Sequence, residues 1–263
     1  MTLSPSSSAV PVESSSSAGA RTARANDDAP AADLRGSVLA ILGGTGEQGR
    51  GLGARLAAGG VAVVLGSRDA SRAREVADEV TRLARRFAGS DAVRVTGARN
   101  VDAVIGAQIV IVAVPWSAHA ATIAESADAL AGRILVDCVN PLGFDSQGAY
   151  ALPVAEGSAA AQAAQLAPDA DVVVAFNHIS AVTLLNPDIA RVDADVLVLG
   201  DSRPATDRVQ ALAEMIPGVR GVYAGRLRLA GQVEALTANL IAINRRYRAH
   251  AGLRVTDIAH GQP

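Results

Sequence analysis

The sequence predicts an α/β fold: a doubly wound parallel sheet followed by a small C-terminal extension of helix and strand. Three observations predict it. Short apolar runs recur along the chain, and a strand that is apolar throughout is one buried on both faces. Ala-rich stretches with helical spacing alternate with those runs, which is the signature of parallel βαβ units. Hydrophobic residues make up 49% of the 263, enough for a substantial core.

The elements follow in order. Residues 1–36, rich in Ser, Ala and Pro without apolar periodicity, bury too little surface to offset ordering and read as a disordered tail. The tail has no continuous apolar segment of the kind a secretory signal needs, and Glu13, Asp27 and Asp28 argue against a transit peptide. "SVLAILGG" is the first strand, with a helix from Glu47 to Ala58 behind it. "VAVVLGS" is the second strand. Asp69 caps the next helix, which buries Ala73, Val76, Ala77, Val80, Leu83, Ala84 and Phe87. "VRVTG", "QIVIVAVP", "RILVDCVNP", "DVVVAFNH" and "DVLVLG" are further strands, interleaved with helical stretches at 117–131, 156–167 and 204–215. "GVRGVYAG" adds a last strand. A long C-terminal helix keeps Val233, Leu236, Leu240, Ile241 and Ile243 on its buried side. Residues 37–182 read as a nucleotide-binding domain and 183–263 as a smaller part that closes its pocket.

Composition narrows the function. The net charge of −2 leaves no nucleic-acid or membrane footprint, and no apolar run is long enough to span a bilayer. The single Cys138, inside the apolar run "ILVDCV", reads as a buried core residue and fits a reducing cytoplasm. All 24 basic residues are arginine. Without lysine there is no Schiff-base chemistry and no Walker-type phosphate loop.

"ILGGTGEQGRGLG" stands at the first strand-to-helix turn, and Gly44, Gly46 and Gly49 satisfy G-x-G-x-x-G. Glycines there permit a tight turn and let backbone N–H groups approach a pyrophosphate at the helix N-terminus, as in a Rossmann dinucleotide site. Gly43, Gly46 and Gly49 satisfy a second spacing found in short-chain dehydrogenases, so the turn alone does not choose a family. The second strand ends in "GSRDASR". An acidic residue at that strand end would hold the ribose hydroxyls of NAD, whereas Arg68 and Arg72, four apart, converge on a phosphate and favour NADP. Val114 and Pro115 end the fourth strand, where this fold meets its ligand, and Asn140 and Pro141 form the opposite wall. Trp116 reads equally as core or site wall, and His119 as peripheral.

Several segments together resemble the NADPH-dependent coenzyme F420 reductases: "GGTGEQGRGLG", "GSRD", "VAVPW", "DCVNPLGFDSQG", "EGSAAAQAAQLAPDADVVVAFNHISA" and "VEALTANLIAIN". The resemblance runs through nearly the whole core. It implies reversible hydride transfer between NADP and a deazaflavin, and a homodimer. It also implies positions. The NADP phosphates fall on Thr45, Gly46, Glu47 and Gln48, and the 2′-phosphate on Ser67, Arg68 and Arg72. The nicotinamide half falls on Val114, Asn140 and Ala181. The deazaflavin falls on Asn177, Ile179 and Leu253, with Asn177 and Ile179 the candidate catalytic pair.

Direct hydride transfer needs positioning rather than a side-chain nucleophile. Period-two alternation along "VVVAFNHIS" directs Asn177 and Ile179 to one face and His178 to the other. Asn177 is then expected to hydrogen-bond a ring that Ile179 packs against. No metal set is expected. The partners expected are small-molecule cofactors, with no nucleic acid and no membrane. Two rivals stay open: a related reductase acting on a flavin or other small substrate, and an NADP sensor without activity.

Overall fold

The computed structural model describes residues 34–258. Strands β1 (Val38–Leu42), β2 (Ala62–Ser67), β3 (Arg94–Arg99), β4 (Ile109–Val112), β5 (Ile134–Asp137) and β8 (Asp171–Val174) lie parallel, as their apolar runs predict. Two more strands, β9 (Ala194–Gly200) and β10 (Val219–Gly225), complete one eight-stranded sheet of order β10-β9-β8-β5-β4-β1-β2-β3. Between β5 and β8 a separate antiparallel hairpin, β6 (Leu142–Asp145) and β7 (Gly148–Ala151), turns where Asp145 accepts the N–H groups of Gln147 and Gly148.

Strand alternation divides the apolar side chains between two cores. Leu39 and Ile41 face helices α1 (Glu47–Ala58), α2 (Ala70–Ala88) and α8 (Arg203–Glu214). Ala40 and Leu42 face α4 (Trp116–Ala124), α5 (Ala127–Leu130), α6 (Ala159–Leu166) and α9 (Ala230–Tyr247). A helical turn, α3 (Asn100–Ala103), follows β3 directly, and α7 (Ala181–Leu185) follows β8.

Four features depart from the sequence reading. First, β9 is antiparallel to β8, through Val173–Gly200 and Val174–Leu199. A parallel return needs a crossover that carries the chain back along the strand. The five-residue α7 instead stays at the carboxyl end, where Arg55 of α1 donates to the carbonyls of Thr183, Leu184 and Asn186. Second, β9 and β10 belong to the main sheet, so the sheet is continuous across residue 182. Third, Ile243 is 41% exposed, whereas Val233 and Leu240 are buried. Fourth, the disordered tail read for 1–36 lies outside the described residues only as far as 33. Leu34 is in the core, and the Gly36 N–H donates to the Gly60 carbonyl.

Candidate active site

The sheet order reverses between β1 and β4, and the carboxyl ends of the strands at such a point are where open α/β sheets hold ligands in a crevice. Gly43, at φ +71°, begins the turn after β1. A Cβ there would stand 2.5 Å from Val114 Cγ1 and 2.7 Å from the Ala113 carbonyl oxygen, so the glycine lets the two strand ends close on each other. A Cβ on Gly49 would stand 2.6 Å from Gly44 Cα, which fixes how tightly α1 leaves the turn. The Gly43 N–H donates to Asn100 Oδ1, so the start of α3 braces the turn from beyond β2. Gly46 caps α1 without a side-chain hydrogen bond. Thr45 is half-buried and Gly46 and Glu47 are exposed, so the start of α1 lies on an open rim, where the N–H groups of a first helical turn suit an anion.

Ser67, Arg68 and Arg72 lie together at the carboxyl end of β2 and the first turn of α2. Asp69 caps that helix, accepting from the N–H groups of Ser71 and Arg72 and from the Ser71 hydroxyl. The Ser71 hydroxyl and the two N–H groups hold the Asp69 carboxyl below the usual carboxylate range. Its charge is thus engaged in capping. Arg72 makes an exposed contact with Glu75, while Arg68 is exposed and makes no ion pair among the described residues.

The other end of the crevice is a polar wall. Asn140 Nδ2 donates to the Asn177 carbonyl at 2.7 Å, and Asn177 Nδ2 to the Val139 carbonyl at 3.2 Å. Carbonyl partners fix the orientation of both amides. Asn140 Oδ1 and Asn177 Oδ1 are buried acceptors without a partner among the described residues, a state that proteins seldom leave unexplained. Ile179 is 5% exposed and packs in the core. Gln48 Nε2 donates to the Phe176 carbonyl, joining the start of α1 to this wall. Val114 and Pro115 lead into α4, which Pro115 caps, and Ala181 is the first residue of α7. Leu253 is set apart: its carbonyl accepts the Asp195 N–H, and no hydrogen bond among the described residues joins it to Asn140 or Asn177.

His178 is 4% exposed and lies outside any strand. β8 ends at Val174, and Phe176 takes a left-handed conformation with φ 65°. Period-two alternation therefore stops before Asn177, which corrects the geometrical ground for directing His178 away. What sets His178 aside is its bonding. Nε2 accepts the Leu197 N–H at 3.2 Å, and burial lowers its pKa to about 4, so the ring is neutral at pH 7. Cys138 is buried, donates from Sγ to the Val112 carbonyl, and is kept protonated by burial.

A model of the family described as NADP oxidoreductase coenzyme F420-dependent matches residues 38–141. The chain is 40% identical over 226 residues to the F420-dependent NADP reductase of Methanothermobacter marburgensis, covering 84% of this chain and 98% of that protein. The chain belongs to the F420-dependent NADP reductase family. The reductase of Methanothermobacter thermautotrophicus is 39% identical over 225 residues, with 84% and 95% covered. A crystal structure of a provisionally named F420-dependent NADP reductase from Arthrobacter sp. FB24 superposes with a TM-score of 0.67. It is 27% identical and covers 84% of this chain and all of that one.

Beneath the wall of this F420-dependent NADP reductase family member lies a buried polar network. His119, read from sequence as peripheral, is fully buried. Its Nε2 is 2.7 Å from Asp137 Oδ2 and its Nδ1 2.9 Å from Gln162 Oε1. Burial opposes its protonation, but the hydrogen bond and charge of Asp137 outweigh burial and raise its pKa. Trp116 tilts over the imidazole at 5.3 Å between ring centroids. Asp137 Oδ1 accepts the Val139 N–H, and Val139 in turn accepts from Asn177. Glu234 of α9 accepts the N–H groups of Ala159 and Ala160 at the start of α6, and Thr237 Oγ1 donates to the Asn177 carbonyl. Sequence reading missed Asp137, Glu234 and Thr237. A polar residue spaced along a helix reads as solvated, and only the strand-end position of Asp137 hinted at its place.

Proposed function

We propose that this protein transfers a hydride reversibly between NADP(H) and the deazaflavin coenzyme F420. The observation that carries the reading is the character of the crevice in a chain of this family. It combines an open anion-binding turn, an arginine corner and a wall with two unpartnered acceptors, and the nearby Cys138 and His178 are held protonated and neutral. Hydride exchange between two bound cofactors asks for that and no more. The cofactors supply the donor and acceptor carbons, and the protein aligns them and excludes water.

In this reading, backbone N–H groups along Thr45, Glu47 and Gln48 bind the pyrophosphate of NADP beside Gly46, whose own N–H donates to the Gly43 carbonyl, and Ser67, Arg68 and Arg72 bind its 2′-phosphate. Val114, Pro115, Asn140 and Ala181 border the nicotinamide. Asn177 Oδ1 accepts an N–H from a bound ring, Ile179 supports the ring edge, and Leu253 lies at the outer margin of the deazaflavin pocket. Exposed Phe144, Tyr150, Ile243 and Tyr247, on the hairpin and the adjoining α9, support a homodimer through this face, which a mass measurement in solution would test. The single free cysteine supports a cytoplasmic setting.

The test is optical. Purified protein, NADPH and oxidised F420 are mixed, and the deazaflavin absorbance is followed, with FMN and FAD in parallel. Loss of the oxidised F420 band is expected. Turnover with a flavin alone would overturn the substrate, and tight NADPH binding without turnover of any acceptor would favour a sensor.

A further inference from the structure

We propose that Arg99, at the end of β3, completes the 2′-phosphate pocket and sets the preference for NADP over NAD. The inference rests on the reading of Ser67, Arg68 and Arg72 as that pocket and adds a residue from a different strand. β2 and β3 are parallel, and Ser67 is paired directly with Arg99, the last residue of each strand. Their side chains leave the sheet on one face, which a neighbouring glycine identifies. A Cβ on Gly97 would lie 2.2 Å from the Ala73 carbonyl oxygen and 2.5 Å from the Arg74 nitrogen, in the first turns of α2. Residues two apart on a strand share a face, so Arg99 projects on the α2 side, one step further toward the carboxyl edge. Ala73 and Arg74 lie over Gly97, so the helix start at Asp69 and Ala70 lies toward Arg99. The corner formed by Ser67, Arg68 and Arg72 thus gains a third guanidinium from its open side.

The surroundings leave this guanidinium available. Arg99 is exposed and makes no ion pair among the described residues. Of the nearby acids, Asp69 caps α2 and Glu75 contacts Arg72, while Asp102, in the first turn of α3, makes no ion pair with Arg99. Arg99 is also anchored. Its backbone is extended at the start of α3, and the next residue, Asn100, holds the Gly43 N–H. One backbone segment therefore joins the phosphate corner to the pyrophosphate turn. The ligand that suits three arginines and a serine hydroxyl is a dianionic phosphomonoester on an adenosine ribose. A planar guanidinium binds such a group bidentately, whereas a ribose hydroxyl gives it nothing comparable.

The experiment compares dissociation constants of 2′,5′-ADP, 5′-ADP, NADPH and NADH for the wild type, Arg99→Ala and Arg99→Lys, with melting temperature as the check on folding. In Arg99→Ala, affinity for 2′,5′-ADP and NADPH is expected to fall about tenfold or more, the loss of a charge-assisted hydrogen bond, with 5′-ADP and NADH within about twofold. Arg99→Lys should recover part of the loss. Unchanged 2′,5′-ADP binding in Arg99→Ala, or equal weakening of both nucleotide pairs, would overturn the role of Arg99. A wild type that binds 2′,5′-ADP no better than 5′-ADP would overturn the pocket itself, whatever Arg99→Ala does.

Discussion

The ring proton of His178 resides on Nδ1, because Nε2 is the acceptor for the Leu197 N–H. Nδ1 is buried and without a partner among the described residues. A neutral imidazole pinned to β9 is a poor acid and no longer a free base, so it supports the wall rather than moving a proton. His178→Ala is expected to lower the rate of hydride transfer by less than about a hundredfold, roughly 2.7 kcal/mol. A larger loss at constant fold, measured by stopped-flow with saturating NADPH, would return His178 to the chemistry. The residue types of this wall were legible in the sequence, since Asn140 and Asn177 both follow apolar strands. Their bonding was not. The two amides bind carbonyls that are close only because β5 and β8 pair, and Phe176 breaks the strand with a positive φ that its residue type does not announce. Thr237 was invisible for a related reason: it reaches the Asn177 carbonyl from 60 residues away.

At the scale of elements, β1, β2, β4, β5, β8 and helices α1 and α2 follow directly from hydrophobic period, and Asp69 is the cap its position suggests. The hairpin β6–β7 and the reversal of β9 did not follow, because both depend on what the connecting segments do rather than on the strands' own composition. The turn into α1 was legible as a glycine pattern, and the structure adds which glycine is sterically bound to it. The missing Cβ of Gly49 would meet the backbone of Gly44: its Cα at 2.6 Å, with its carbonyl carbon and oxygen at 3.0 Å. No side-chain rotation can relieve that contact. Gly49→Ala must push α1 away from the turn and misalign the N–H groups of its first turn. NADPH affinity is expected to fall by at least about tenfold, about 1.4 kcal/mol. Fluorescence titration checks this, and undiminished binding would show that the turn is not the pyrophosphate site.

At the scale of the whole molecule, two buried groups, Glu234 and His178, act on stability in the same pH range with opposite sign. Glu234 has its pKa raised from 4.5 to about 7, chiefly by burial and also by the charge of Asp137, against the Ala159 and Ala160 N–H groups and the charge of His119. Between those values the folded protein keeps a proton that the unfolded chain has lost, so stability falls as pH rises. His178 has its pKa lowered from 6.5 to about 4, by burial, against the charge of Asp195. Between those values the unfolded chain holds a proton that the folded protein lacks, so stability falls as pH falls. Each group alone gives a slope of about 1.4 kcal/mol per pH unit. Between pH 4.5 and 6.5 the slopes oppose, and the wild type should be nearly flat. Above pH 6.5 Glu234 acts without His178, and the raised pKa of His119 adds a loss of the same sign as pH rises through it. Below pH 3.8 the Asp195 carboxylate takes over. Burial opposes its ionisation, but Arg220, the Val255 N–H and Arg254 bring its pKa to about 2, so its stabilisation is lost as pH falls through that value. Denaturant midpoints at several pH values separate the groups. Glu234→Gln should expose His178 and make stability rise from pH 4.5 to 6.5, while His178→Gln should expose Glu234 and make it fall over the same range. Flat profiles in both variants would mean that neither group is held out of water as tightly as its burial implies.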